Sequence, residues 1–117
     1  MTVTVEQSLA FLERRARARH EDGERREALL RSRLPAIVEL LRSRYQVASI
    51  RLFGSLARGE AHAHSDIDLA VAGLDAARYF EALADIMDLA KCPVDLVRVE
   101  AAPESLLDRV AAEGEEP

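Results

Sequence analysis

Leu52-Phe53-Gly54-Ser55-Leu56-Ala57-Arg58-Gly59, followed by Ser65-Asp66-Ile67-Asp68-Leu69, carries most of the information in these 117 residues. Residues 49–53 read as a strand, with Ile50, Leu52 and Phe53 apolar and Arg51 polar. Gly54 permits a backbone conformation and a close approach that a β-carbon would block. Ser55 is placed to cap a short helix over residues 56–60, whose free N–H groups, with the serine hydroxyl, suit phosphate oxygens. Arg58 stands one turn further on and adds a positive charge.

Ten residues separate Ser55 from Asp66, where a second strand-like run extends to Ala72. Side chains alternate along a strand, so Asp66 and Asp68 share one face while Ile67, Leu69 and Val71 share the other, the core face. Two carboxylates so close repel each other. Mg²⁺ relieves that repulsion, and it prefers a few carboxylates plus substrate phosphates to an all-protein cage. Two such ions, ~3.5–4 Å apart, bind the attacking and leaving oxygens of an in-line displacement.

Residues 93–99 form a third strand-like run, Pro93-Val94-Asp95-Leu96-Val97-Arg98-Val99, in which Asp95 interrupts the apolar positions. If this strand lies beside the one with the two aspartates, Asp95 joins the pair, as a metal ligand or as the base for an attacking hydroxyl. Taken singly, each feature is ordinary: an Asp-x-Asp in an amphipathic strand is usually a solvated face, and a Gly-Ser after a strand is usually a turn. Their order and spacing together point to nucleotidyl transfer.

Gly54-Ser55, Asp66-Ile67-Asp68 and Asp95 resemble the signature of the minimal nucleotidyltransferases of the DNA polymerase β-like superfamily. The fuller string GSLARGEAHAHSDIDLAV looks most like the MNT-domain antitoxins that pair with HEPN-domain toxins. The resemblance covers roughly residues 34–110. It implies a small α/β fold with a mixed sheet of three or four strands, and ATP with two Mg²⁺ ions as substrate and cofactor. It also implies transfer of AMP to a tyrosine of the partner toxin, which silences it. By position, Gly54 and Ser55 would hold the triphosphate and Asp66, Asp68 and Asp95 the metals. Arg58 matches a recurrent motif arginine, and Ser65 belongs to the same nucleotide-binding stretch, fixing the loop or bonding a carboxylate.

Composition bounds the alternatives. A chain of this length suffices for one domain with a real core. With 49% apolar residues but only 4% aromatic ones, that core is Leu, Val, Ile and Ala. No apolar run approaches the ~20 residues needed to cross a membrane. The N-terminus lacks a signal-peptide pattern, because the arginines come after the apolar residues. Cys92 is the only cysteine, so a reducing cytoplasm is the expected compartment. Net charge is −5, split as +5 over residues 1–58 and −10 over residues 59–117. The acidic half argues against non-specific nucleic-acid binding and fits a metal-dependent site; highly soluble helices would look the same.

Around this centre the pattern predicts a charged helical extension over residues 1–33, a nucleotidyltransferase domain over 34–112 and a disordered tail over 113–117. The extension reads as a helix over 6–33 with an apolar start at Leu9, Phe11 and Leu12. Weak Glu–Arg pairs such as Glu13–Arg17 and Glu21–Arg25 support it. Two readings of it stand: a helix that docks on a partner or a second copy, and a solvated, frayed appendage. Ser32 and Pro35 are expected to open a separate helix ending near Tyr45, with Ile37, Val38, Leu41 and Tyr45 inward. Asp75 is expected to cap a helix over 76–90 with Tyr79, Phe80, Leu83, Ile86, Met87 and Ala90 inward, and Pro103 to start a last helix with Leu106, Leu107 and Val110 inward. His62 and His64, in an Ala-rich loop, read as solvent-exposed.

The sequence thus predicts a Mg²⁺-dependent transfer of AMP to a hydroxyl of a partner HEPN toxin. Two rivals remain: a binding antitoxin that occludes its toxin through the N-terminal helix, and a nucleotidyltransferase acting on RNA or a small molecule.

Overall fold

The structure is a computed structural model that describes residues 2–117. A 39-residue helix, α1 (Val5–Ser43), leads into β1 (Ser49–Phe53), the one-turn α2 (Gly54–Ala57) and β2 (Ile67–Ala72). A 3₁₀ turn (Ala76–Arg78) opens α3 (Tyr79–Ala90). Then come β3 (Val94–Arg98), a second 3₁₀ turn (Val99–Ala101) and α4 (Glu104–Glu113).

The sheet has three strands in the order β1-β2-β3. β1 runs antiparallel to β2, with Phe53 opposite Asp68. β2 runs parallel to β3, with Asp68 opposite Asp95. The parallel pair requires a crossover, which α3 supplies. Ile50, Leu52, Ile67, Leu69, Val71, Val94 and Leu96 are buried on one face with Leu30, Leu34, Ile37 and Leu41 of α1 and Ala82, Ile86 and Ala90 of α3. The opposite face carries Arg51, Phe53, Asp68 and Asp95, and α4 packs there against β1.

Three expectations are corrected by this architecture. First, α1 is continuous through Pro35, so the break expected between residues 32 and 35 is absent and the 33/34 boundary falls inside one helix. An interior proline removes a backbone hydrogen bond and costs about 3 kcal/mol. The helix persists because Leu30, Leu34, Ile37 and Leu41, at i, i+4, i+7 and i+11, bury one stripe on both sides of the proline. Pro35 itself is exposed, and Ser32 Oγ donates to the Leu29 carbonyl within the helix, 2.5 Å away, rather than capping a new one. The true start is a capping box at Thr4 and Gln7, with reciprocal bonds of 3.0 and 3.1 Å.

Second, the segment after α4 is paired, not disordered. The Leu52 and Glu115 amides each donate to the other's carbonyl at 2.8 Å, which adds an antiparallel bridge to the outer side of β1. Arg31 Nη1 lies 2.7 Å from Glu115 Oε1.

Third, Phe80 is 80% exposed and Met87 39% exposed, outside the apolar stripe expected for them. Ile86 and Ala90 are buried as expected, with Ala82, and Tyr79 and Leu83 pack against the core; at about 100° per residue Phe80 and Met87 fall on the flank of that stripe. Asp75 caps that turn as expected, accepting from the Ala77 amide at 2.9 Å. Leu106, Leu107 and Val110 are half-buried against β1.

At 1.5 Å per residue, α1 is about 58 Å long, against overall dimensions of 63 × 29 × 21 Å. Its first four to five turns therefore project from the body. Apart from the half-buried Ala10, residues 2–21 are exposed. Contact with the body begins at Gly23, which is buried.

Candidate active site

Strand pairing builds the site. The antiparallel register ends β1 opposite Asp68, so the turn at Gly54 is delivered to that carboxylate; the parallel register sets Asp95 beside it. Gly54 has φ +76°, and a β-carbon there would lie 2.1 Å from Asp68 Oδ2. Glycine is thus required twice, by conformation and by space.

Asp95 stands opposite Asp68 in the parallel register, and the charges of Asp95 and Asp66 both act on Asp68. The Asp68 pKa is pushed up to about 6, first by burial and then by the charges of Asp95 and Asp66; Arg109 and Arg58 oppose the shift. Burial and like charge both disfavour the ionised form, and the two arginines do not offset them. Among the described residues no three acidic, imidazole or thiol groups converge into a ready-made metal cage.

The loop joining Ser55 to Asp66 is held from within and from behind. The Ser55 and Ser65 hydroxyls are 3.1 Å apart. Ser65, only 3% exposed, also accepts from the His62 amide at 2.9 Å through Oγ. Through these bonds Ser65 sets the loop and its neighbour serine. Ser55 lies inside α2 rather than capping it, since Phe53 occupies the cap position.

Support from behind comes from α1. Arg26 Nε donates to the Ser65 carbonyl at 3.0 Å, and Arg31 Nη2 to the Leu56 carbonyl at 3.0 Å. A β-carbon at Gly23 would lie 2.2 Å from the Ala61 carbonyl oxygen, so the helix backbone presses directly on the loop. The second half of the expected extension is therefore part of the site's scaffold. No motif marks Gly23, Arg26 or Arg31, and only their place behind the loop identifies them.

Arg58 is exposed and pairs with Glu60 and Glu113, both at 3.0 Å. Glu113 is a residue the sequence reading missed. Besides Arg58, its carboxylate accepts from the Gly54 amide at 3.1 Å and from Arg109 Nη2 at 3.4 Å. The Arg58 guanidinium, joined by the Gly54 N–H and Arg109, holds it below the usual carboxylate range. His62 and His64 are exposed, and Cys92 is half-buried with its thiol pKa raised by burial.

The chain matches the family model "Polymerase beta, Nucleotidyltransferase" over residues 36–116. Among solved structures, a minimal nucleotidyltransferase is 31% identical, matching over 78% of this chain and 95% of that one at a TM-score of 0.67. A chain of a toxin–antitoxin complex solved with AMP-PNP is 33% identical over 68% of each chain, with a TM-score of 0.62. The complex of a tri-AMPylated Shewanella oneidensis HEPN toxin with its MNT antitoxin contains a chain 27% identical over 74% of this chain and 70% of that one, with a TM-score of 0.60. No curated protein matches the chain.

Proposed function

Because this chain belongs to the polymerase β-type nucleotidyltransferase family, we propose that it transfers AMP from ATP to a hydroxyl of a partner HEPN-domain toxin, a tyrosine above all, and so acts as the antitoxin. The observation that carries this reading is the contact of the Gly54 turn with Asp68, which stands opposite Asp95 and whose pKa is pushed up to about 6 first by burial and then by the charges of Asp95 and Asp66.

Asp66 and Asp68 would hold Mg²⁺, with Asp95 completing one site. Bound there, the ions supply positive charge to the triphosphate and to the attacking oxygen. Gly54 lets the turn approach Asp68, and Ser55, steadied by Ser65, offers its hydroxyl and amide to phosphate oxygens. Arg58 adds charge at the same place. In the reaction the acceptor oxygen bonds to the α-phosphorus, the bond to the bridging α–β oxygen breaks, and pyrophosphate leaves. Asp95, exposed beside Asp68, is the group assigned to take the acceptor's proton.

ATP as donor is supported by the AMP-PNP in one related complex, and the HEPN partner by the tri-AMPylated toxin in another. Among the described residues no helix is long and apolar enough to cross a membrane, and the reading places the reaction in the cytoplasm, where ATP is available. A second reading, occlusion without catalysis, is favoured by the exposed Val5, Leu9 and Leu12 on the projecting arm of α1.

The test is the intact mass of the product encoded beside this gene after co-expression with this chain. A gain of one or more AMP masses, lost when Asp66 and Asp68 are both replaced by alanine, is expected. An unmodified partner in a tight complex would replace catalysis with occlusion.

A further inference from the structure

Glu113 sits where an anion is wanted. Its Oε1 accepts from the Gly54 amide at 3.1 Å, and its Oε2 accepts from Arg58 Nη1 at 3.0 Å. These are the two cationic or N–H groups at the turn that the functional reading assigns to the triphosphate. A second guanidinium, that of Arg109, lies 3.4 Å from Oε1. The side chain is 18% exposed, so the carboxylate is set into this cluster and does not merely lie over it. A carboxylate whose two oxygens accept from a backbone N–H and an arginine occupies the donors that a bound phosphate would use.

The C-terminal segment holds this arrangement down. Two residues beyond Glu113, Glu115 exchanges amide-to-carbonyl bonds with Leu52, both at 2.8 Å. Leu52 lies two residues before Gly54, so the C-terminal segment is fastened to the strand that ends in the cradle. Arg31, which also holds the Leu56 carbonyl at 3.0 Å, takes the Glu115 carboxylate at 2.7 Å.

We propose that Glu113 is an internal stand-in for a nucleotide phosphate, and that a triphosphate binds this cradle only by displacing it and loosening residues 113–117 from β1. This rests on the reading of Gly54 and Arg58 as phosphate-binding groups. When Glu113 leaves, Arg109 and the Nη1 of Arg58 are released to the incoming anion, while Arg58 Nε keeps Glu60. Glu113 thus sets the threshold of nucleotide concentration at which the site fills, and filling the site frees a surface on the outer side of β1.

The experiment is calorimetric titration of the full chain with AMP-PNP and Mg²⁺, for the wild type, Glu113→Ala and Glu113→Gln, with amide exchange followed in parallel. Displacement predicts that Glu113→Ala binds on the order of tenfold more tightly than wild type. Glu113→Gln, which keeps an acceptor for Gly54 but loses the charge, falls between them. In the wild type, AMP-PNP should speed exchange of the Leu52 and Glu115 amides. Unchanged or weaker binding by Glu113→Ala, with a binding wild type, overturns the proposal and makes Glu113 a support for Arg58. Protection of Leu52 and Glu115 that survives nucleotide binding overturns it as well. Failure of all three proteins to bind AMP-PNP would instead overturn the assignment of the cradle itself.

Discussion

Gly54 and Asp68 are so close that the smallest possible side chain on the glycine would overlap the carboxylate: its β-carbon would lie 2.1 Å from Oδ2 and 2.9 Å from Cγ. The left-handed φ of +76° adds a second objection to any other residue. Gly54→Ala is therefore expected to force either the turn away from Asp68 or the carboxylate out of the site. The expected outcome is a loss of transfer activity of at least ~100-fold, on the scale of misplacing groups by about 1 Å. A melting curve checks that the sheet survives. Activity within a few-fold of wild type would mean that the turn does not position the reacting groups.

Asp68 also predicts a pH dependence with a definite sign. Its folded pKa, about 6, lies above the ordinary aspartate value of 3.8. The folded protein therefore holds that proton more tightly than the unfolded chain, and stability falls as pH rises from about 4 through 6. Discounted for the part of the group that faces solvent, the penalty at neutral pH is about 1–2 kcal/mol. Asp68→Asn removes it. The variant should match wild type in Tm near pH 4 and exceed it by several degrees at pH 7.5, while losing activity. Added MgCl₂ should raise the wild-type Tm at pH 7.5 and leave that of Asp68→Asn nearly unmoved. Equal Tm values for the two proteins across the whole range would refute the raised Asp68 pKa.

Arg26 reaches the site only through Ser65, whose carbonyl it holds at 3.0 Å and whose hydroxyl lies 3.1 Å from that of Ser55. Arg26→Ala leaves a buried carbonyl without its charged donor, a loss of about 1.5–3 kcal/mol when such a bond is broken. If Ser55 holds the triphosphate as proposed, the loss reaches it through Ser65, and KM for ATP should rise about five- to tenfold with a smaller change in kcat. Arg26→Lys, which keeps a donor, should recover part of the loss. A drop in Tm with KM unchanged would reduce Arg26 to a purely structural role.

The three strands and the mixed sheet were legible, because a period of two and a turn glycine are local signals. Asp95 could be placed beside Asp68 only by assuming a parallel neighbour, which α3 then supplied. Pro35 misled for a physical reason: its local penalty is real, but Leu30, Leu34, Ile37 and Leu41 bury a stripe across it, and tertiary packing outweighs local preference. Phe80 lies about a quarter-turn from the buried stripe of Tyr79, Ala82, Leu83, Ile86 and Ala90, so an apolar residue beside the stripe reads as part of it although it is exposed. Glu113, Arg26 and Gly23 left no trace in the sequence, since each acts on residues 39 to 59 positions away or on the backbone of a distant loop. A Glu-rich C-terminus reads as solvent-loving until its partners are in place.

The long helix separates into two parts with different expected phenotypes. Residues 2–21 touch almost nothing, and Val5, Leu9 and Leu12 are 53 to 75% exposed at spacings that put them on one face. From Gly23 onward the same helix presses on the Ala61 carbonyl and braces Ser65 and Leu56. Deleting residues 1–12 should leave Tm and nucleotide binding within error of wild type. Deleting 1–28 should lower Tm by several degrees and weaken nucleotide binding, because Gly23 and Arg26 go with it. The shorter deletion then isolates the arm's role toward a partner. If it abolishes toxin neutralisation while AMP transfer to the toxin continues, occlusion by the arm is the operative mechanism. If both persist, the three aspartates carry neutralisation by themselves.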